Sequence, residues 1–120
     1  MKFGHVTVNV KDLEESLKFY QDIVGLPIAR RFPAGPGMEI VFLGEDETLV
    51  ELIYNENSEG VSYGQDISLG FEVESMDDMM DFVKEKGLLI ESGPFQPNPN
   101  TQFFYVLDPN GLRIQFIEQK

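Results

Sequence analysis

From Phe3 to Val10 apolar and polar positions alternate, with Val6, Val8 and Val10 on one face and His5, Thr7 and Asn9 on the other. A period of two predicts a half-buried strand. The period then changes: Leu13, Leu17, Phe19-Tyr20 and Ile23-Val24 recur at helical spacing. Asp12 can cap this helix, with Glu15 three residues on, and Gly25 stops it. Pro27–Phe32, Met38–Leu43 and Thr48–Tyr54 then read as three short strands, separated by Pro33-Ala34-Gly35-Pro36-Gly37 and by Gly44-Glu45-Asp46-Glu47. The first half is therefore predicted to be βαβββ.

The second half repeats this order. Ile67–Val73 alternates, Ser75 caps a helix whose apolar stripe is Met76, Met79-Met80 and Phe82-Val83, and Gly87 ends it. Leu88–Glu91, Thr101–Leu107 and Leu112–Ile117 are the expected strands, the last two joined by Asp108-Pro109-Asn110-Gly111. Residues 92–100, with Pro94, Pro97 and Pro99, are expected to form a stiff loop rather than a strand. At an offset of 63, Val8 falls on Phe71, Val10 on Val73, Leu17 on Met80 and Phe19 on Phe82; in the final strands the offset is 64. A strand–helix pair and its following hairpin matching together point to an internal duplication. The expectation is an α+β fold made of two tandem βαβββ modules, residues 1–56 and 66–120, within a single domain spanning 1–120.

Length and composition narrow the function. The 120 residues suit one domain, and 42% hydrophobic content with ten Phe is too apolar for a disordered acidic tail. Nine Lys and Arg against 21 Asp and Glu give a formal charge of −12, which argues against nucleic acid and anionic membrane surfaces as partners. Cysteine is absent, so disulfides, thiolate metal sites and a cysteine nucleophile are excluded. No run approaches the roughly 18 apolar residues of a membrane span. Met1-Lys2-Phe3 leads straight into the first strand without a signal-like apolar region, so a cytoplasmic location is expected.

The strand faces opposite the apolar alternates carry the candidate chemistry. They are His5, Thr7 and Asn9; Leu49, Glu51 and Ile53; Ser68, Gly70 and Glu72; and Arg113, Gln115 and Ile117. The duplication superimposes His5 on Ser68 and Glu51 on Gln115. On an open sheet these would be ordinary wet-side residues; if two such sheets curl together, the four converge on one concave surface. Imidazole and carboxylate are good ligands for Ni, Zn, Mn or Fe(II), and an amide oxygen suits the harder ions. A neutral serine hydroxyl is a poor ligand, so His5, Glu51 and Gln115 with Ser68 or water form the best case. Phe32, Phe42, Phe95, Phe103, Phe104 and Tyr105 supply aromatic surface for the core or for a cleft. Arg30-Arg31 could anchor an anionic group or simply end a strand in solvent.

The duplication, His5 on the first strand, the segment GHVTVNVKDLEESLKFYQDIVGL, the segment VELIYN and the final DPNGLRIQFIE together resemble the vicinal oxygen chelate superfamily. That superfamily includes glyoxalase I, bleomycin-resistance proteins and extradiol dioxygenases. The resemblance covers essentially the whole chain and implies a curved eight-stranded mixed sheet. It is nearest to the short bacterial glyoxalase I (lactoylglutathione lyase) proteins. Their metal ligands map onto His5, Glu51, Ser68 and Gln115, where Ser68 stands in place of a second His and Gln115 in place of a second Glu. Asn55 matches a position that contacts glutathione, and Asn9 replaces an Arg that binds a glutathione carboxylate. Gln115 cannot act as a base, which leaves Glu51 for proton abstraction beside a carbonyl.

The function implied is a divalent-metal-dependent lyase or isomerase on a small oxygenated substrate, a carbonyl compound or thiol conjugate. Asn9, Asn55, Arg113 and Phe104 are the expected substrate contacts, and a homodimer is the expected assembly. The alternative is a metal-free protein that binds and sequesters a small molecule, as bleomycin-resistance proteins do.

Overall fold

A computed structural model describes residues 1–120, which divide into two compact units, Met1–Ser62 and Tyr63–Lys120. The first contains β1 (His5–Val10), α1 (Leu13–Lys18), a π-helical turn (Phe19–Ile23), β2 (Ile28–Pro33), β3 (Met38–Leu43) and β4 (Leu49–Asn55). The second contains β5 (Ser68–Glu72), α2 (Met76–Glu85), β6 (Ser92–Asn98), β7 (Thr101–Leu107) and β8 (Arg113–Gln119). Each unit has its own four-stranded mixed sheet, ordered β1-β4-β3-β2 in one and β5-β8-β7-β6 in the other. The strand order is the same in both, and so is the pairing: β1 with β4 and β5 with β8 are parallel, all other neighbours antiparallel.

Both helices start where the caps predict. The Asp12 side chain accepts the Glu15 N–H at 3.0 Å, and the Ser75 hydroxyl accepts that of Asp78 at 3.2 Å, each satisfying a donor that the first helical turn leaves unpaired. The first helix does not run evenly to Val24. After Lys18 it widens into a π-helical turn, with the Val24 N–H bonded to the Phe19 carbonyl at 3.2 Å, and this turn buries Phe19 and Tyr20.

The alternation has its expected consequence. In the first unit Val8, Val10, Val50 and Leu52 are buried with Leu13, Leu17 and Tyr20; in the second Phe104, Val106, Ile114 and Phe116 are buried with Met76 and Val83. One side of each sheet thus carries the core under its helix, and the opposite side is left to the alternate residues.

The largest departure from expectation is in the third strand of the second unit. Leu88–Glu91 is not a strand; β6 is instead Ser92–Asn98, the proline-containing segment expected to be a loop. Pro94 and Pro97 cannot donate to a ladder, and β6 accommodates them as an edge strand. It meets β7 at only three register points, Ser92 with Tyr105, Phe95 with Phe103 and Asn98 with Thr101, with the register shifting between them. No helix is long and apolar enough to cross a membrane.

Candidate functional site

The first unit brings His5 and Glu51 together. Glu51 lies on β4 directly opposite Thr7 of the parallel β1, one pleat along from His5. Because side chains alternate, His5, Thr7 and Glu51 emerge on the same side of the sheet. His5 Nε2 stands 3.5 Å from Glu51 Oε1, and the Thr7 hydroxyl donates to that same oxygen at 2.5 Å. The imidazole is nearly half exposed, whereas the Glu51 side chain keeps only 11% of its surface. The His5 ring also meets Phe42 edge-on, with centroids 5.4 Å apart, and the Arg30 guanidinium lies 4.3 Å from the Phe42 ring centre.

Glu51 is one of two buried carboxylates, and the other explains itself. Asp108 accepts the N–H groups of Asn110 and Leu112 at 2.8 Å each, holding the β7–β8 turn. Glu51 holds no turn or helix cap. It is a carboxylate largely withdrawn from water beside an imidazole, with one hydroxyl donor and no structural element that it holds.

The pair suits a divalent cation. Metal–nitrogen and metal–oxygen bonds of 2.0–2.2 Å at a near-tetrahedral angle set the two donor atoms about 3.4 Å apart, close to the 3.5 Å between Nε2 and Oε1. No third His, Asp or Glu joins them, so the other donors available to an ion are neutral oxygens.

The second unit arranges its equivalents differently. Gln115 on β8 lies opposite Gly70 of β5, and its amide donates to the Tyr105 hydroxyl at 3.2 Å. Ser68 is exposed at the start of β5, paired in register with Arg113. Arg113 lies with its guanidinium 3.9 Å from the Tyr105 ring centre, its Nε 3.3 Å from Glu91 and its Nη2 3.3 Å from Ser92. Beside it, Phe95, Gln96, Pro97, Phe103 and Tyr105 complete an open groove of about 550 Å³.

A sequence model of the Glyoxalase/Bleomycin resistance protein/Dioxygenase superfamily matches residues 2–116. The chain belongs to this superfamily. It is 33% identical over 132 aligned positions to a lactoylglutathione lyase of Neisseria meningitidis, covering all of this chain and 92% of that one. A Haemophilus influenzae lactoylglutathione lyase is also 33% identical, with 94% of its length covered. Among solved structures, a trypanothione-dependent glyoxalase I of Leishmania major superimposes with a TM-score of 0.84 at 22% identity, over 98% of this chain and 86% of that one. An antibiotic-binding protein from Streptomyces superimposes with a TM-score of 0.77 at 19% identity, over the whole of this chain and 97% of that one. The chain is thus a glyoxalase I-like member of the superfamily, in its α+β fold.

The other expected contacts within this glyoxalase-like frame divide. Asn9 lies on the side of β1 that carries His5 and Thr7. Asn55 ends β4, where its side-chain oxygen accepts the Asn57 N–H at 2.9 Å and so helps hold its own turn. Arg113 faces the groove. Phe104 does not reach a ligand: it is fully buried against Phe116, because alternation along β7 turns it to the helix side and brings its neighbours Phe103 and Tyr105 to the open side. Of Arg30 and Arg31, the first covers Phe42, and the second pairs with Glu14 and Glu39. Thr7 and Tyr105, each bonded to a candidate ligand side chain, were visible in sequence only as members of a polar face and an aromatic set. Their partners depend on strand register, which periodicity alone does not give.

Proposed function

We propose that this chain is a divalent-metal-dependent lyase or isomerase of the glyoxalase I kind, acting on a small carbonyl compound or its thiol conjugate. The observation that carries this reading is the buried Glu51 carboxylate facing His5 Nε2 at 3.5 Å. His5 Nε2 and Glu51 Oε1 are the two strong ligands, and water completes the set with neutral oxygen donors. When bound there, a divalent ion such as Ni, Zn, Mn or Fe(II) would supply Lewis acidity beside the substrate carbonyl.

The chain's own side chains do the rest. Glu51, through the carboxylate oxygen that does not face His5, is the base for the proton on the carbon beside the carbonyl, since Gln115 does not bind protons near neutrality and the His5 nitrogen facing Glu51 has no second lone pair to offer. Partial burial keeps bulk water from competing for the carboxylate. Asn9 and Asn55 are the proposed polar contacts to substrate beside this pair, and Arg113 is the proposed polar contact in the groove of the second unit. A homodimer working in the cytoplasm belongs to the same reading; the exposed Phe3, Ile67 and Leu89 offer apolar surface for association.

Turnover of the hemithioacetals of 2-oxoaldehydes by metal-loaded protein tests the activity. Glu51→Gln should lower kcat by about 10²–10⁴, and wild-type protein that binds metal yet turns over no such adduct would contradict it. One observation favours a second reading. The groove of Phe95, Phe103, Tyr105 and Arg113 could hold a small aromatic ligand without metal, and the similar Streptomyces protein is named for binding an antibiotic. Ligand binding undiminished in His5→Ala would favour that reading.

A further inference from the structure

We propose that Thr7 is a positioning residue for Glu51. Its hydroxyl fixes the rotation of the carboxylate so that Oε1 faces His5, and so sets the affinity of the His5–Glu51 pair for a divalent cation. The second half of this statement rests on the metal reading above; the first half stands on geometry alone.

Thr7 and Glu51 are register partners across the parallel β1–β4 pair, so their side chains leave the sheet side by side. The Thr7 hydroxyl donates to Oε1 at 2.5 Å, the same oxygen that lies 3.5 Å from His5 Nε2. A glutamate has three side-chain torsions, and the last is broad, so nothing intrinsic to Glu51 fixes the angle at which its carboxylate plane meets the imidazole. Threonine is stiff about χ1, which fixes the direction of its hydroxyl before any partner arrives. An O–H donor to an ionised acceptor is among the stronger hydrogen bonds. A carboxylate oxygen has a second lone pair, so accepting from Thr7 leaves Oε1 able to bind a cation.

The duplicated module makes the role specific. At the offset of 63, the position equivalent to Thr7 is Gly70, which has no side chain to offer. There Gln115 is held instead by Tyr105, from the opposite flank. A hydroxyl beside the ligand side chain is therefore not a generic feature of this strand pair. It occurs in the module that carries the carboxylate.

The test uses Thr7→Val, which keeps the shape and β-branching but removes the hydroxyl, and Thr7→Ser, which restores it. Calorimetric titration of Zn²⁺ and Ni²⁺ into the full chain gives the affinities. Crystal structures of the metal-free variants give the Glu51 rotamer, which a purely structural role would not move. Thr7→Val should weaken metal binding tenfold or more, as loss of partners behind metal ligands typically does. Thr7→Ser should recover most of it. In metal-free Thr7→Val, the carboxylate plane should turn so that neither Glu51 oxygen faces His5 Nε2. A Glu51 rotamer unchanged in Thr7→Val would overturn the inference whether or not metal binds. A wild-type chain that binds neither ion, nor Mn²⁺ or Fe²⁺ titrated in the same way, would overturn the link to metal affinity and the metal reading together, while the rotamer still decides the orienting role.

Discussion

Gly70 makes room for Gln115. The two are register partners across β5 and β8, and a Cβ at position 70 would come within 3.0 Å of Gln115 Oε1. Gly70 has no backbone angle that requires glycine, so the constraint at this position is the side chain opposite. Gly70→Ala should therefore fold, helped by the lower backbone entropy of the unfolded chain. It should also push the Gln115 amide off the Tyr105 hydroxyl. The side-chain amide resonances of Gln115 report this directly: they should move in Gly70→Ala and in Tyr105→Phe. Unmoved resonances in Gly70→Ala would show that the amide is not held where the structure has it.

Phe103 and Phe104 are neighbours with opposite fates. Phe104 is fully buried against Phe116, while Phe103 lines the groove with Phe95. Phe104→Ala should cost about 3–5 kcal/mol of stability in urea unfolding, the range for large-to-small changes in a packed core. Phe103→Ala should cost clearly less and act on ligand binding instead. Equal losses of stability would mean the alternation along β7 is misassigned.

Tyr63 predicts an alkaline limb in the stability profile. Burial first, and the nearby Asp108 carboxylate second, push its phenol above the usual tyrosine range. The folded state therefore holds this proton when the unfolded chain has lost it. The contribution is complete below about pH 10, where both states are protonated, and falls as pH rises beyond that toward the folded-state value. Tyr63→Phe should remove that part of the alkaline loss in denaturant unfolding measured from pH 8 to 12. A variant with the same alkaline slope as wild type would contradict it.

How much of this was legible in sequence depends on what each feature needs. The βαβββ order, both helix caps and the core alternates Val8, Leu52, Ile114 and Phe116 follow from local periodicity, and the structure has them. The resemblance of the whole chain to the superfamily was also readable, and the comparisons establish it. Two kinds of feature were not readable. Placement of β6 was missed because Pro94 and Pro97 argue against a strand, and only pairing with β7 at an edge overrides them. Phe104 was misassigned to the ligand side because a run of three aromatics, Phe103-Phe104-Tyr105, hides which member points inward. The Thr7–Glu51 hydrogen bond needs the exact register of β1 on β4, which depends on contacts more than forty residues apart in the chain.

The central claim is that His5 and Glu51 hold a divalent cation. Its most direct test is metal content after chelator treatment and reloading with Ni, Zn, Mn and Fe(II), in wild type, His5→Ala and Glu51→Ala. The account predicts stoichiometric binding of at least one of these ions to wild type, and its loss in both variants. No stoichiometric metal under any loading, or full retention in both variants, would contradict it.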